Sequence, residues 1–168
     1  MKRTFTVLLL IMASWVMHAL QQDSLPQALK DAVLRDSACA SPNDNNNNDG
    51  DSKLTALPIR VATRELGTIV TVESACHCQG QNCDSLVYLR QGEAYRLAFK
   101  KKYASLHAMK IVKRGMPSLT GQFNVNPTTM ETTVYDWTGK EYRPSLCASV
   151  IKGKKVPTVT QHACKAAQ

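Results

Sequence analysis

At 168 residues, with 43% hydrophobic residues, six cysteines and a formal net charge of +8, the chain can bury one core of ordinary size and not two. The charge is uneven: residues 20–52 carry two basic and six acidic side chains, net −4, whereas residues 53–168 carry 17 basic and seven acidic, net +10. A cationic body in the cytosol would suggest nucleic acid, but the N-terminus argues for export, so no nucleic-acid role is expected.

Lys2-Arg3 precede a largely apolar run from Thr4 to Val16, and polar sequence begins near Leu20-Gln21-Gln22-Asp23. This reads as a Sec-type signal peptide over residues 1–19, cut after Ala19, too short and too abruptly ended for a transmembrane helix. No cysteine follows it closely, which argues against a lipid anchor. The expected location is the periplasm of a Gram-negative bacterium. An N-terminal helix is expected within residues 20–40: Ser24 can cap, Pro26 suits a first turn, and Leu25, Leu29, Ala32 and Val33 recur at helical spacing up to Arg35. Residues 41–52, rich in Asn and Asp, have nothing to bury and read as a flexible linker. A calcium loop on Asn45, Asn47, Asp49 and Gly50 is the rival reading, but it begins with Asn and places Ala56 where a bidentate Glu belongs.

Residues 53–168 read as an antiparallel β-meander, giving a β-rich α+β fold stabilised by disulfides. Leu57 to Arg64 alternates, and Leu66-Gly67-Thr68 is expected to turn it into a strand leading to Cys76. Leu86–Arg90 and Tyr95–Lys100 are expected to pair through Gln91-Gly92-Glu93. Leu106–Lys113, Leu119–Val125 and Thr132–Trp137 follow, then the turn at Thr138-Gly139-Lys140, and a last strand from Val156 to His162. Tyr103–Val112 is the one segment here with partial helical character.

In an oxidising compartment six cysteines most simply form three disulfides, and 15 connectivities are open. Proximity favours Cys78 with Cys83 and Cys147 with Cys164, leaving Cys39 for Cys76. A metal site on Cys76, His77, Cys78 and Cys83 would need reduced thiols and lacks a second ligand pair. No metal and no cofactor are expected. The chemistry is sparse. His77, His107 and His162 have no motif context for a catalytic base, and the few carboxylates form no recognisable pair. Lys100, Lys101 and Lys102 are either a functional basic patch or a solvated edge guard. Tyr135, Trp137 and Tyr142 could stack a sugar, though core packing is the more common use of such residues. The sequence points away from an enzyme and towards a rigid loop, His77 with Gln79-Gly80-Gln81-Asn82, that binds a protein partner.

Ser74-Ala75-Cys76, then Cys78-Gln79-Gly80-Gln81-Asn82-Cys83, then Asp84-Ser85 and a strand, resembles the periplasmic inhibitor of vertebrate lysozyme family. That family has a serine-alanine-cysteine approach and a disulfide-closed loop of the form Cys-Lys-Pro-His-Asp/Asn-Cys. Ser118-Leu119-Thr120-Gly121-Gln122-Phe123 is similar to the family's strand after the loop, and the likeness spans roughly residues 68–137. It implies a helix-flanked antiparallel sheet whose loop plugs the cleft of a peptidoglycan-cleaving enzyme. Here Gln81 stands in the histidine's place, the Lys-Pro pair is missing, and Cys76 and His77 are additional. Glutamine exchanges hydrogen bonds but cannot become cationic near catalytic carboxylates. Common animal lysozymes are basic and would be repelled by a net +10 body, so another cell-wall hydrolase is an equally good target. In general style the chain is also similar to periplasmic immunity proteins against muramidase or amidase toxins. The alternative reading is a non-catalytic envelope protein that binds anionic glycan or lipid through its basic face.

Overall fold

The computed structural model describes residues 25–37, 52–151 and 157–164. The expected signal peptide, Ser24, Cys39 and the calcium frame considered at residues 45–50 lie outside the described residues.

Helix α1 (Gln27–Asp36) starts directly after Pro26, whose carbonyl accepts from the Leu29 and Lys30 amides. Leu29, Ala32 and Val33, spaced three and four apart, are its buried face. At its other end the Ser37 hydroxyl and amide both donate to Val33 O, and Lys100 Nζ donates to Asp36 O at 2.7 Å. These donors satisfy carbonyls that a helix end otherwise leaves unpaired.

Among the described residues ten strands form two antiparallel sheets. The first holds β1 (Lys53–Val61), β2 (Arg64–Glu73), β4 (Asn82–Gln91) and β5 (Ala94–Tyr103) in that order, with the short β3 (Cys78–Gln79) beside the start of β4. The second is an unbroken meander of β6 (Ser105–Lys113), β7 (Met116–Asn126), β8 (Thr129–Trp137), β9 (Tyr142–Ile151) and β10 (Thr158–His162). The chain passes from one sheet to the other through Ala104 alone, whose amide donates to Gln122 O.

The alternation of side chains explains the layers. Ile69, Val87, Leu89, Phe99 and Tyr103 of the first sheet meet Leu106, Met116, Leu119, Tyr135, Trp137 and Tyr142 of the second in one core. The intervening residues Val70, Val72, Leu86 and Tyr88 face the other way, onto Leu29, Ala32 and Val33 of α1. The first sheet is therefore covered on both faces, and β4 is buried from Asp84 to Leu89. Tyr88 extends this packing by donating to Ala32 O at 3.2 Å. Burial, with the nearby Asp36, pushes its phenol well above its ordinary pKa.

Three sequence expectations are corrected. The turn after β1 falls at Ala62-Thr63, with Ala62 at φ 52°, and Leu66-Gly67-Thr68 lies inside β2. Tyr103–Val112 carries no helix; Ser105–Lys113 is a strand. Tyr142–Ile151, left without an element, is a ten-residue strand between β8 and β10 in the second sheet.

Candidate functional site

Cys78 and Gln79 pair with Cys83 and Asn82, so the cysteine loop is a two-residue hairpin with Gly80-Gln81 at its tip. Gly80 adopts φ 61°, the left-handed conformation such turns require and glycine adopts without strain. The Cys78–Cys83 disulfide links the two strands directly below the tip, and Cys147–Cys164 ties the end of β10 to β9. No described cysteine is free; the expected Cys39 partner of Cys76 lies outside the described residues.

The hairpin residues divide between outside and inside. Gln79, Gly80 and Gln81 are exposed, while His77 and Asn82 are buried. Asn82 Nδ2 donates to Asn124 O at 2.9 Å, and the Asn124 amide donates back to Asn82 Oδ1 at 2.8 Å. In effect the side-chain amide of Asn82 extends the β7 ladder by one position, beyond the point where β6 has left it at Gln122. Asn124 Nδ2 in turn donates to Gln81 Oε1 at 2.9 Å. The hairpin is thus fixed to the second sheet from its own base and from its tip.

Behind it lies a charged cluster. His77 Nδ1 sits 3.0 Å from Asp84 Oδ2, Lys102 Nζ lies 3.0 Å from Asp84 Oδ1, and Lys102 also donates to His77 O. Burial raises the Asp84 carboxyl, but the hydrogen bonds from His77 and Lys102 and the charges of Lys102 and Lys100 prevail and hold it below the usual carboxylate range.

The three lysines do not form one patch. Lys100 caps α1, Lys102 serves Asp84, and Lys101 points to the opposite side of β5, with Nζ 5.7 Å from the centre of the Tyr135 ring. Tyr135, Trp137 and Tyr142 are core residues, packed edge to face with Phe99 or with each other. The Tyr103 hydroxyl bonds that of Tyr135, and burial together with this bond pushes the Tyr103 phenol upward.

Two histidines that stand alone in the sequence have carboxylate partners in space. Besides His77 with Asp84, His162 Nε2 lies 2.9 Å from Glu131 Oε2, and Ser149 Oγ donates to Glu131 Oε1 at 2.6 Å. Ser149 and His162 thus share one carboxylate between them. A nucleophile needs the imidazole next to its hydroxyl, with the acid behind it, and this order is different. Among the described residues no cluster of three or more His, Cys, Asp or Glu could hold a metal.

Two recesses meet beside the hairpin. One, of about 620 Å³, is lined by Gln79, Gly80, Gln81 and Asn82 of the hairpin and by residues 123–127 at the end of β7 and its turn. The second, of about 560 Å³, opens between the sheets and is lined by Lys101, Tyr103, Glu131, Tyr135 and His162 among others. Phe123 and Val125 belong to both.

A scan against protein-family models matches none, and searches of curated proteins and of solved structures return no match.

Sequence reasoning located the hairpin but missed its counterpart, Phe123 to Pro127, and the tie between them. The only available trace was the stop at Asn126-Pro127. Asn126 there accepts from the Thr128 amide, the Thr128 hydroxyl and the Thr129 amide, an Asx-type turn that fixes the opposite wall.

Proposed function

We propose that this chain is an exported, non-catalytic binding protein of the bacterial periplasm that blocks a peptidoglycan-cleaving enzyme, a muramidase or an amidase, through its Cys78–Cys83 hairpin. The reading is supported above all by the preorganisation of that hairpin. A crosslink at its base and the Asn82 bonds to Asn124 hold Gln79-Gly80-Gln81 in one exposed conformation, so little ordering entropy opposes binding. Two disulfides among the described residues fit an oxidising compartment, and no described helix is long and apolar enough to cross a membrane. The working residues on this reading are Gln79, Gly80 and Gln81; Asn82 and His77 hold the tip from behind. The alternative of a basic face for anionic glycan or lipid draws less support, because Lys100 and Lys102 are each bonded to groups of the chain itself and Lys101 lies on the opposite side of β5, so the three lysines do not form one face.

The test is inhibition of a panel of muramidases and amidases by wild type and by Gln79→Ala/Gln81→Ala. One enzyme should be inhibited by the wild type, and inhibition should weaken by about tenfold or more in the variant, as loss of two hydrogen-bonding groups at an interface implies. Equal inhibition by both proteins would remove the hairpin from the mechanism.

A further inference from the structure

The recess between the hairpin and the β7–β8 turn has a composition unlike the rest of this basic chain. Five of its nine lining residues are carboxamides, Gln79, Gln81, Asn82, Asn124 and Asn126; the others are Gly80, Phe123, Val125 and Pro127, and none is charged. In a chain of net charge +8, a site for phosphate or carboxylate would be expected to recruit a lysine, and this one has none. Charged side chains, Lys101, Lys102 and Glu131, line only the adjoining recess, so this part of the surface suits a neutral group that carries amides or hydroxyls and an apolar face for Phe123, Val125 and Pro127. At about 620 Å³ the recess falls within the roughly 300–1,000 Å³ of small-molecule sites. Both walls are pre-formed, one by the disulfide and the Asn82 bonds, the other by the Asn126 turn.

An extended peptide is the obvious competitor, since peptides add to open strand edges. The β7 edge is closed at this point: the Asn124 amide and carbonyl are bonded to Asn82 on one side, and β8 occupies the other, while β3 offers only the two residues Cys78 and Gln79. Side-chain amides beside apolar side chains are the chemistry that suits a sugar ring carrying an acetamido group. Both ends of the Asn82 carboxamide are bonded to Asn124, so such an acetamido group would pair with the exposed side chains of Gln79, Gln81 and Asn126 and lay its methyl and ring face on Val125, Pro127 and Phe123.

We propose that this recess is a binding site for a neutral N-acetylated glycan. It shares Gln79 and Gln81 with the proposed inhibitory hairpin but does not rest on that reading, so its test contains no enzyme. The intact, oxidised protein is titrated with chitotetraose, an uncharged oligomer of N-acetylglucosamine, and with cellotetraose, the same linkage without acetamido groups. The readout is the side-chain amide signals of Gln79, Gln81 and Asn126 in nitrogen-edited NMR spectra. Chitotetraose should shift these signals saturably and cellotetraose should not. Gln79→Ala/Gln81→Ala should weaken binding about tenfold. Val125→Arg, which projects a long cation from an exposed position into the recess, should abolish it while leaving the remaining backbone spectrum in place. Binding of neither sugar, equal binding of both, or full binding by Val125→Arg would overturn the proposal.

Discussion

Asn82→Ala, compared with Gln81→Ala, separates a residue that builds the hairpin from one proposed to contact a partner. The substitution removes two hydrogen bonds, of 2.9 and 2.8 Å, and leaves the Asn124 amide and carbonyl without their partner. Each bond is worth about 1 kcal/mol net, and an orphaned buried group costs about 1–3 kcal/mol. Asn124 is half-buried, so water recovers part of that cost. The expected loss is about 2 kcal/mol, which lowers Tm by roughly 4–8 °C in a chain of this size. Urea titration of the oxidised protein should show a lower midpoint at unchanged slope, because the surface exposed on unfolding hardly changes. Gln81→Ala, at an exposed position, should stay within about 0.5 kcal/mol of wild type. If Asn82→Ala is as stable as Gln81→Ala, the carboxamide does not tie the hairpin to β7 and the argument for a preorganised tip fails.

The remaining predictions concern the fold behind the hairpin. Asp84 and Asp136 are both held below the ordinary carboxylate range, Asp136 chiefly by hydrogen bonds from Lys113 and Ser118. A depressed folded-state value means stability that is complete above about pH 4 and lost as pH falls through the carboxylate range. Asp84→Asn should therefore reduce the difference between urea midpoints at pH 7 and pH 3, and Asp84→Asn/Asp136→Asn should reduce it further; an unchanged difference would contradict the assignment. The Cys147–Cys164 bond, spanning 17 residues, should contribute about 3 kcal/mol against about 2 for the shorter Cys78–Cys83 link. Replacing Cys147 and Cys164 by serine should speed amide exchange across Thr158–His162, which pairs with β9, and leave β7 and β8 protected; uniform loss of protection would refute a local role. Gly121→Ala places a Cβ 2.6 Å from the Tyr103 ring and should cost about 1–3 kcal/mol. The cost should be less than additive with Tyr103→Leu, and full additivity would show that the two do not meet.

The hairpins that glycine marks were legible in the sequence: Gln91-Gly92-Glu93 joins β4 to β5, and the turn before Met116 contains Gly115. The first turn was not, because Ala62 adopts a left-handed conformation that its residue type does not announce. Strand β9 was hidden by Pro144, Ser145 and Cys147, which break an apolar run even though Pro144 sits beside a register shift that accommodates it. Division of the meander into two sheets was also invisible, since the chain crosses at Ala104 with no turn residue. At the site, local spacing was enough to find the Cys78–Cys83 link. The roles of Asn82, Lys100 and Lys102 were not readable, because their partners are 42, 64 and 18 to 25 residues away. Polar side chains at strand ends look solvated in a sequence whether or not a distant backbone group awaits them.

The central claim, that the hairpin and the adjoining β7–β8 turn form the binding end of the molecule, is tested most directly by amide exchange on a complex with an inhibited cell-wall hydrolase. Protection gained on binding should map to residues 78–83 and 123–128, with α1 and the strands far from the hairpin unchanged. Protection centred on α1, or on the β9–β10 edge, would contradict the account.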